Sequence, residues 1–171
     1  MPEKRTLERA RRDKRMGKAP STQAGEFVKE EMDHIREGKH GARSSKQAIA
    51  IGLSKARRAG VNLPAPRKGK TSEKTRKNAA RAYAVGHGAP TRRKSSAKRS
   101  RATLDALKRE GRSAASHAAL ARQATSAASR RTRSERSSAA RKAVWTKGPR
   151  ERSVAARRAA RTREMGRSRH A

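Results

Sequence analysis

The side chains with chemistry to offer in this chain are guanidinium and ammonium groups, and they come in clusters. Arg92, Arg93 and Lys94 form one; Lys98, Arg99 and Arg101 a second; Arg130, Arg131, Arg133 and Arg136 a third. Arg141 and Lys142 follow, and then Arg157, Arg158, Arg161 and Arg163. Cations in such groups neutralise phosphates and release their condensed counterions, which gives salt-dependent affinity without sequence readout. With 48 Lys and Arg against 14 Asp and Glu the net charge is +34, more than solubility asks for, so a polyanionic partner is expected.

Other chemistries find little footing. The absence of cysteine removes a disulfide framework, argues against a zinc finger, and suits a reducing compartment. His34 and His40 stand apart from any third ligand, so no metal and no cofactor are expected. The Gly86-His87-Gly88 stretch reads as a flexible turn rather than a phosphate loop. Asp105 and Glu110, five residues apart, do not share a helical face. No enzymatic activity and no catalytic residue are expected, because a pocket needs a core to shape it. The aromatic residues are Phe27, Tyr83 and Trp145, too few for base-stacking platforms, so phosphate contact should dominate. Trp145 is read as packing on a neighbouring helix rather than wedging between base steps. Lys147-Gly-Pro-Arg150 has the flavour of a minor-groove hook but lacks its central arginine.

These cations must be carried by elements with little bulk to pack. Leu, Ile, Val and Phe make up 15 of 171 residues, a level at which burial does not offset chain entropy over a full-length core. Charge is also uneven: residues 1–37 hold 10 basic and 8 acidic side chains, residues 38–171 hold 38 and 6. Four segments are expected: a charged arm at 1–20, an αα-hairpin at 21–63, a Pro/Gly/Lys linker at 64–95, and an Ala/Arg/Ser-rich basic tail at 96–171. The hairpin is predicted from Phe27, Val28, Met32 and Ile35 on one helical stripe and Ile49, Leu53 and Ala56 on the next. Ser21 or Thr22 serves as the first N-cap and Gly38 as its stop. Ser44 and Gln47 read as a capping box, with Gly60 and Pro64 ending the second helix. In the tail, Arg136–Lys147 and Arg152–Arg163 align without gaps, seven residues of twelve being identical. The expected fold class is therefore all-α, a short αα-hairpin followed by a long, low-complexity basic tail that is disordered, or partly helical on a polyanion.

The stretch from Ser44 to Pro64, "SSKQAIAIGLSKARRAGVNLP", resembles a family of small basic bacterial proteins defined by a domain of unknown function. In that pattern a short helix of the "VMxEFKxG" type precedes "SRKQAIAIALSEARKAG" and a proline. Val28, Met32, Ile35 and Gly38 correspond to the first part. Ser45, Lys46, Gln47, Ala48, Ile49, Ala50, Ile51, Leu53, Ser54, Ala56, Arg57, Ala59, Gly60 and Pro64 correspond to the second. Lys55 stands where the pattern carries an acid. Members are labelled DNA-binding or plasmid-stabilisation proteins, so the resemblance implies a role at DNA. In composition alone, the tail resembles histone-like basic tails.

Charge and resemblance together predict non-enzymatic, largely sequence-independent binding and compaction of DNA by a nucleoid-associated, cytoplasmic protein, with self-association through the hairpin. The alternatives are an RNA- or ribosome-associated protein and a protein-interaction adaptor acting through the hairpin. A helix-turn-helix reading is disfavoured by the long inter-helix loop. No membrane partner is expected, the longest apolar run being six residues with a glycine in it. The acids Glu26, Glu30, Glu31, Asp33 and Glu37 are expected to fold back on the basic tail and compete there with nucleic acid.

Overall fold

The computed structural model describes residues 2–90 and 96–167. Among them the order is α1 (Lys4–Arg15), α2 (Pro20–Arg36), α3 (Ser45–Arg58), α4 (Glu73–Gly86), α5 (Ala97–Arg109), a 3₁₀ turn (Ser113–Ala115), α6 (His117–Ser129) and α7 (Arg133–Arg167). The chain divides into two compact units, 1–123 and 124–171.

Local chemistry sets the helix ends. α1, α2, α3 and α4 all finish in the same way, with a glycine next to the C-cap turning the chain through positive φ at Gly17, Gly38, Gly60 and Gly88. In α3 the Val61 N–H donates to the Ala56 carbonyl and the Gly60 N–H to that of Arg57, both at 3.1 Å. This pairing satisfies carbonyls that the last turn would leave without partners. At the other end, Ser44, Ser72, Ser96 and Ser116 accept from the backbone N–H three residues on. Gln47 completes its cap one residue early, accepting from the N–H of Arg43 at 2.9 Å. α2 starts at Pro20 with Ala19 as N-cap rather than at Ser21 or Thr22, since proline needs no N–H partner in a first turn.

In the first unit α2 packs on α1 and α3, and α3 on α4. Two small cores result. Phe27, Ala24, Ala56, Ala10 and Val61 are buried together, with Leu7, Leu53 and Leu63 against them. Met32, Ile35, Ala42, Ala48, Ala114 and Ala115 form the other, flanked by Val28, Ile49 and Leu120. Glycine lets these backbones meet. A Cβ on Gly52 would lie 2.7 Å from the Val28 Cα, so α2 and α3 cross closely there.

The expected fold class is corrected in its second half. The chain is all-helical, but the basic region is not a disordered tail. Ala114 and Ala115 sit in the hairpin's own core. The Ala114 carbonyl accepts from Ser45 Oγ at 2.6 Å and that of Ala115 from Arg36 Nε at 3.0 Å. The 38–43 loop adds backbone bonds from Gly41 to Leu107 and from Ala42 to Gly111. Alanine, with little side-chain entropy to lose and high helix propensity, makes this contact without the bulk that the composition lacks. The residues expected to be an arm likewise form α1, held on α2 by Arg9 and Glu26 at 2.6 Å.

The second unit is built from the end of α6 and from α7. Thr132 and Glu135 start α7 with a reciprocal capping box, each side chain accepting the other's backbone N–H at 3.0–3.1 Å. α7 is broken at Gly148, whose φ of 65° and ψ of 170° leave the helical region just before Pro149. Proline cannot donate to the preceding turn, so a second helical segment begins there.

Candidate nucleic-acid interface

The repeat copies fall on either side of that break. Arg136–Lys147 precedes Gly148 and Arg152–Arg163 follows it. Arg133, Arg136, Arg141 and Lys142 are exposed on the first segment, and Arg157, Arg158, Arg161 and Arg163 on the second. Arg157 and Arg161 are one turn apart and so share a face, with exposed Ala155, Ala156, Ala159 and Ala160 leaving the surface beside them low. Exposed Val154 and Met165 lie near the same face. Arg130 and Arg131 are exposed in the turn between α6 and α7. In the first unit, Lys98, Arg99 and Arg101 are exposed on α5, a helix without buried residues. Arg92, Arg93 and Lys94, and the side chain of Trp145, lie outside the described residues.

Some arginines are held by the backbone. Arg136 Nη1 donates to the Arg131 carbonyl at 2.7 Å and Arg152 Nε to that of Gly148 at 3.1 Å. These contacts tie the two exposed side chains to the backbone at the start of each α7 segment. Arg57, part of the α3 motif, differs: it is buried and donates to the carbonyls of Leu63 and Pro64. Burial pushes its pKa below the ordinary guanidinium value, and its work is to fold the chain back after α3.

The hairpin residues Phe27, Met32, Ile35 and Ala56 are buried, and Val28, Ile49 and Leu53 half-buried, all in the two cores. The acids of α2 meet cations nearby. Glu26 pairs with Arg9, Asp33 with Lys29 and Arg36, and Glu37 with Lys39. Glu30 and Glu31 share Lys55. Their charge is thus met within the first unit.

Two features escape a reading of the sequence. Ile49, Ile51 and Leu53 of α3 line a cleft of about 490 Å³ against Pro66, Thr75 and Ala79, visible only once α4 is placed. His34 and His40 are not isolated: Glu31 completes a group whose donor atoms lie within 4.8 Å of one another. Glu31 and His34 are spaced three apart on a helix, which is a signal; the turn at Gly38 that returns His40 is not readable as a contact.

Residues 4–69 match the model of a family of unknown function (DUF6496), a span that takes in α1, α2 and α3. No curated protein matches the chain, and no solved structure does. No helix among the described residues is long and apolar enough to cross a membrane.

Proposed function

We propose that this protein binds duplex DNA through its phosphates, without sequence readout and without catalysis, and compacts it in a bacterial nucleoid. The observation that carries the reading is α7: two helical segments, each bearing one copy of an Ala/Arg repeat, with Arg136, Arg141 and Lys142 exposed on the first and Arg157, Arg158, Arg161 and Arg163 on the second. A helix with arginines beside alanines can lie close along a sugar-phosphate backbone, the alanine flank standing low beside the cations. Residues 124–171 carry 15 Lys and Arg against 3 Asp and Glu. The exposed α5 cations give the first unit its own phosphate contacts. A chain with basic helices in two units can engage two stretches of DNA, and bridging is what compaction requires.

A second reading rests on the α3–α4 cleft. Its apolar lining suits a partner's side chains, so the first unit would act as an adaptor that the basic helices localise. Titrating the full chain with equal-length duplex DNA and structured RNA, and following DNA condensation by light scattering, separates the outcomes. Tight duplex binding with condensation supports the DNA reading. A clear RNA preference at physiological salt makes the protein ribosome-associated instead. Weak binding to both leaves the adaptor.

A further inference from the structure

The C-terminal end of α2 gathers two imidazoles and a buried carboxylate. His40 Nδ1 lies 3.0 Å from the carbonyl oxygen of Gly41, which only accepts, so Nδ1 carries a proton. Its Nε2 lies 3.2 Å from Oε1 of Glu31. Glu31 is fully buried, and its Oε2 is 2.6 Å from the ammonium of Lys55. With the ring proton on Nδ1, Nε2 presents its lone pair toward Glu31 Oε1, as an imidazole ligand must.

His34 supplies the next donor. It stands one turn after Glu31 on α2, its ring edge-to-face with that of His40 at 6.1 Å and 86°. Its side chain is 14% exposed and that of His40 11%, so the group is sheltered but reachable from solvent. Glu3 Oε1, 2.8 Å from His34 Nε2, offers a further oxygen. Lys39 contacts Glu3 at 3.4 Å but Glu37 at 2.9 Å, so it keeps a partner if Glu3 turns inward.

We propose that Glu31, His34 and His40 bind one divalent transition-metal ion of the zinc type, with Glu3 or a water as fourth ligand. Two imidazoles and a carboxylate are ligands for a borderline-soft cation and a poor set for calcium or magnesium. Donor atoms now within 4.8 Å of one another need to close to about 3.3 Å to surround a tetrahedral ion. Lys55 and the Gly41 carbonyl then act as outer partners, fixing the carboxylate and the imidazole that touch the metal. The ion would pin the 38–43 loop to α2, and that loop holds residues 107–111 through its backbone bonds. The proposal stands apart from the DNA reading.

The test uses the full chain stripped of metal, titrated with Zn²⁺ and then with Co²⁺, whose absorption reports a tetrahedral N/O site. One equivalent should bind, and Tm should rise with it. His34→Gln with His40→Gln should lose affinity by more than the roughly 10–100-fold that removing an outer partner costs, with circular dichroism checking that the fold persists. Should that variant unfold, the ring protons of His34 and His40 in the unaltered chain decide the matter, because Co²⁺ bound at this site must shift both sets. Absence of one-equivalent binding, wild-type affinity in a folded double variant, or unshifted rings would overturn the site.

Discussion

Lys55 Nζ lies 2.6 Å from Glu31 Oε2 and 3.5 Å from Glu30 Oε1, one ammonium serving two buried carboxylates. At the position where the resembling family pattern has an acid, this chain carries the base that its own α2 needs. Removing one partner of a buried pair leaves a charge without compensation, which is costly. Lys55→Ala is therefore expected to destabilise the first unit by about 3 kcal/mol, read from urea unfolding. Adding Glu31→Gln should recover part of the loss, since less charge is then stranded.

The α2–α3 crossing gives a second expectation. Gly52→Ala puts a methyl 2.7 Å from the Val28 Cα and 3.0 Å from the Phe27 carbonyl oxygen. Backbone cannot yield as a side-chain tip does, so overpacking should cost about 1–3 kcal/mol. A Tm equal to that of the parent chain would show that the helices slide apart freely.

Gly41→Ala should detach the basic region from the hairpin. Its Cβ would fall 1.9 Å from the Glu110 carbonyl oxygen, so the loop cannot keep its bonds to Leu107 and Gly111. Amide exchange should speed up at Ala42 and at Ala114–Ala115, while α1 stays protected. Unchanged exchange at Ala42 would refute the docking.

Acid dependence is expected at the start of α4. The Arg76 guanidinium, bonded to Glu73 through two N–H groups at 2.6 and 2.9 Å, holds that carboxyl below its usual 4.5. A lowered folded value means the contribution is whole above 4.5 and fades as pH falls through the folded pKa. The Tm gap between the parent chain and Glu73→Gln should follow that course, small throughout because the pair is exposed. A gap that widens on acidification would reverse the sign.

Much of the first unit was legible. The stripes of α2 and α3, the serine cap at Ser44, and the glycine turns at Gly38 and Gly60 are local signals, and the chain obeys them. The docking of Ala114 and Ala115 was not, because counting bulky side chains misses cores made where alanine and glycine let backbones touch. Gly41 and Gly86 report the same thing: each would strike a carbonyl oxygen at 1.9 Å if it carried a Cβ. Nothing local in the sequence distinguishes those glycines from flexible ones. At the candidate interface the clusters were readable as charge, and Gly148 followed by Pro149 is a local signal for the break that splits the repeat between two segments. The Glu31, His34 and His40 group was hidden, since a turn brings His40 back to the other two.

The most direct test of phosphate binding by α7 is the salt dependence of full-chain affinity for two duplexes of unrelated sequence. It should be measured beside Arg157→Ala, Arg158→Ala and Arg161→Ala combined. The slope of log K against log salt should be steep, equal for the two duplexes, and shallower by about 0.9 for each phosphate contact the variant loses. A slope untouched by the three substitutions, or a marked preference for one duplex, would contradict the account.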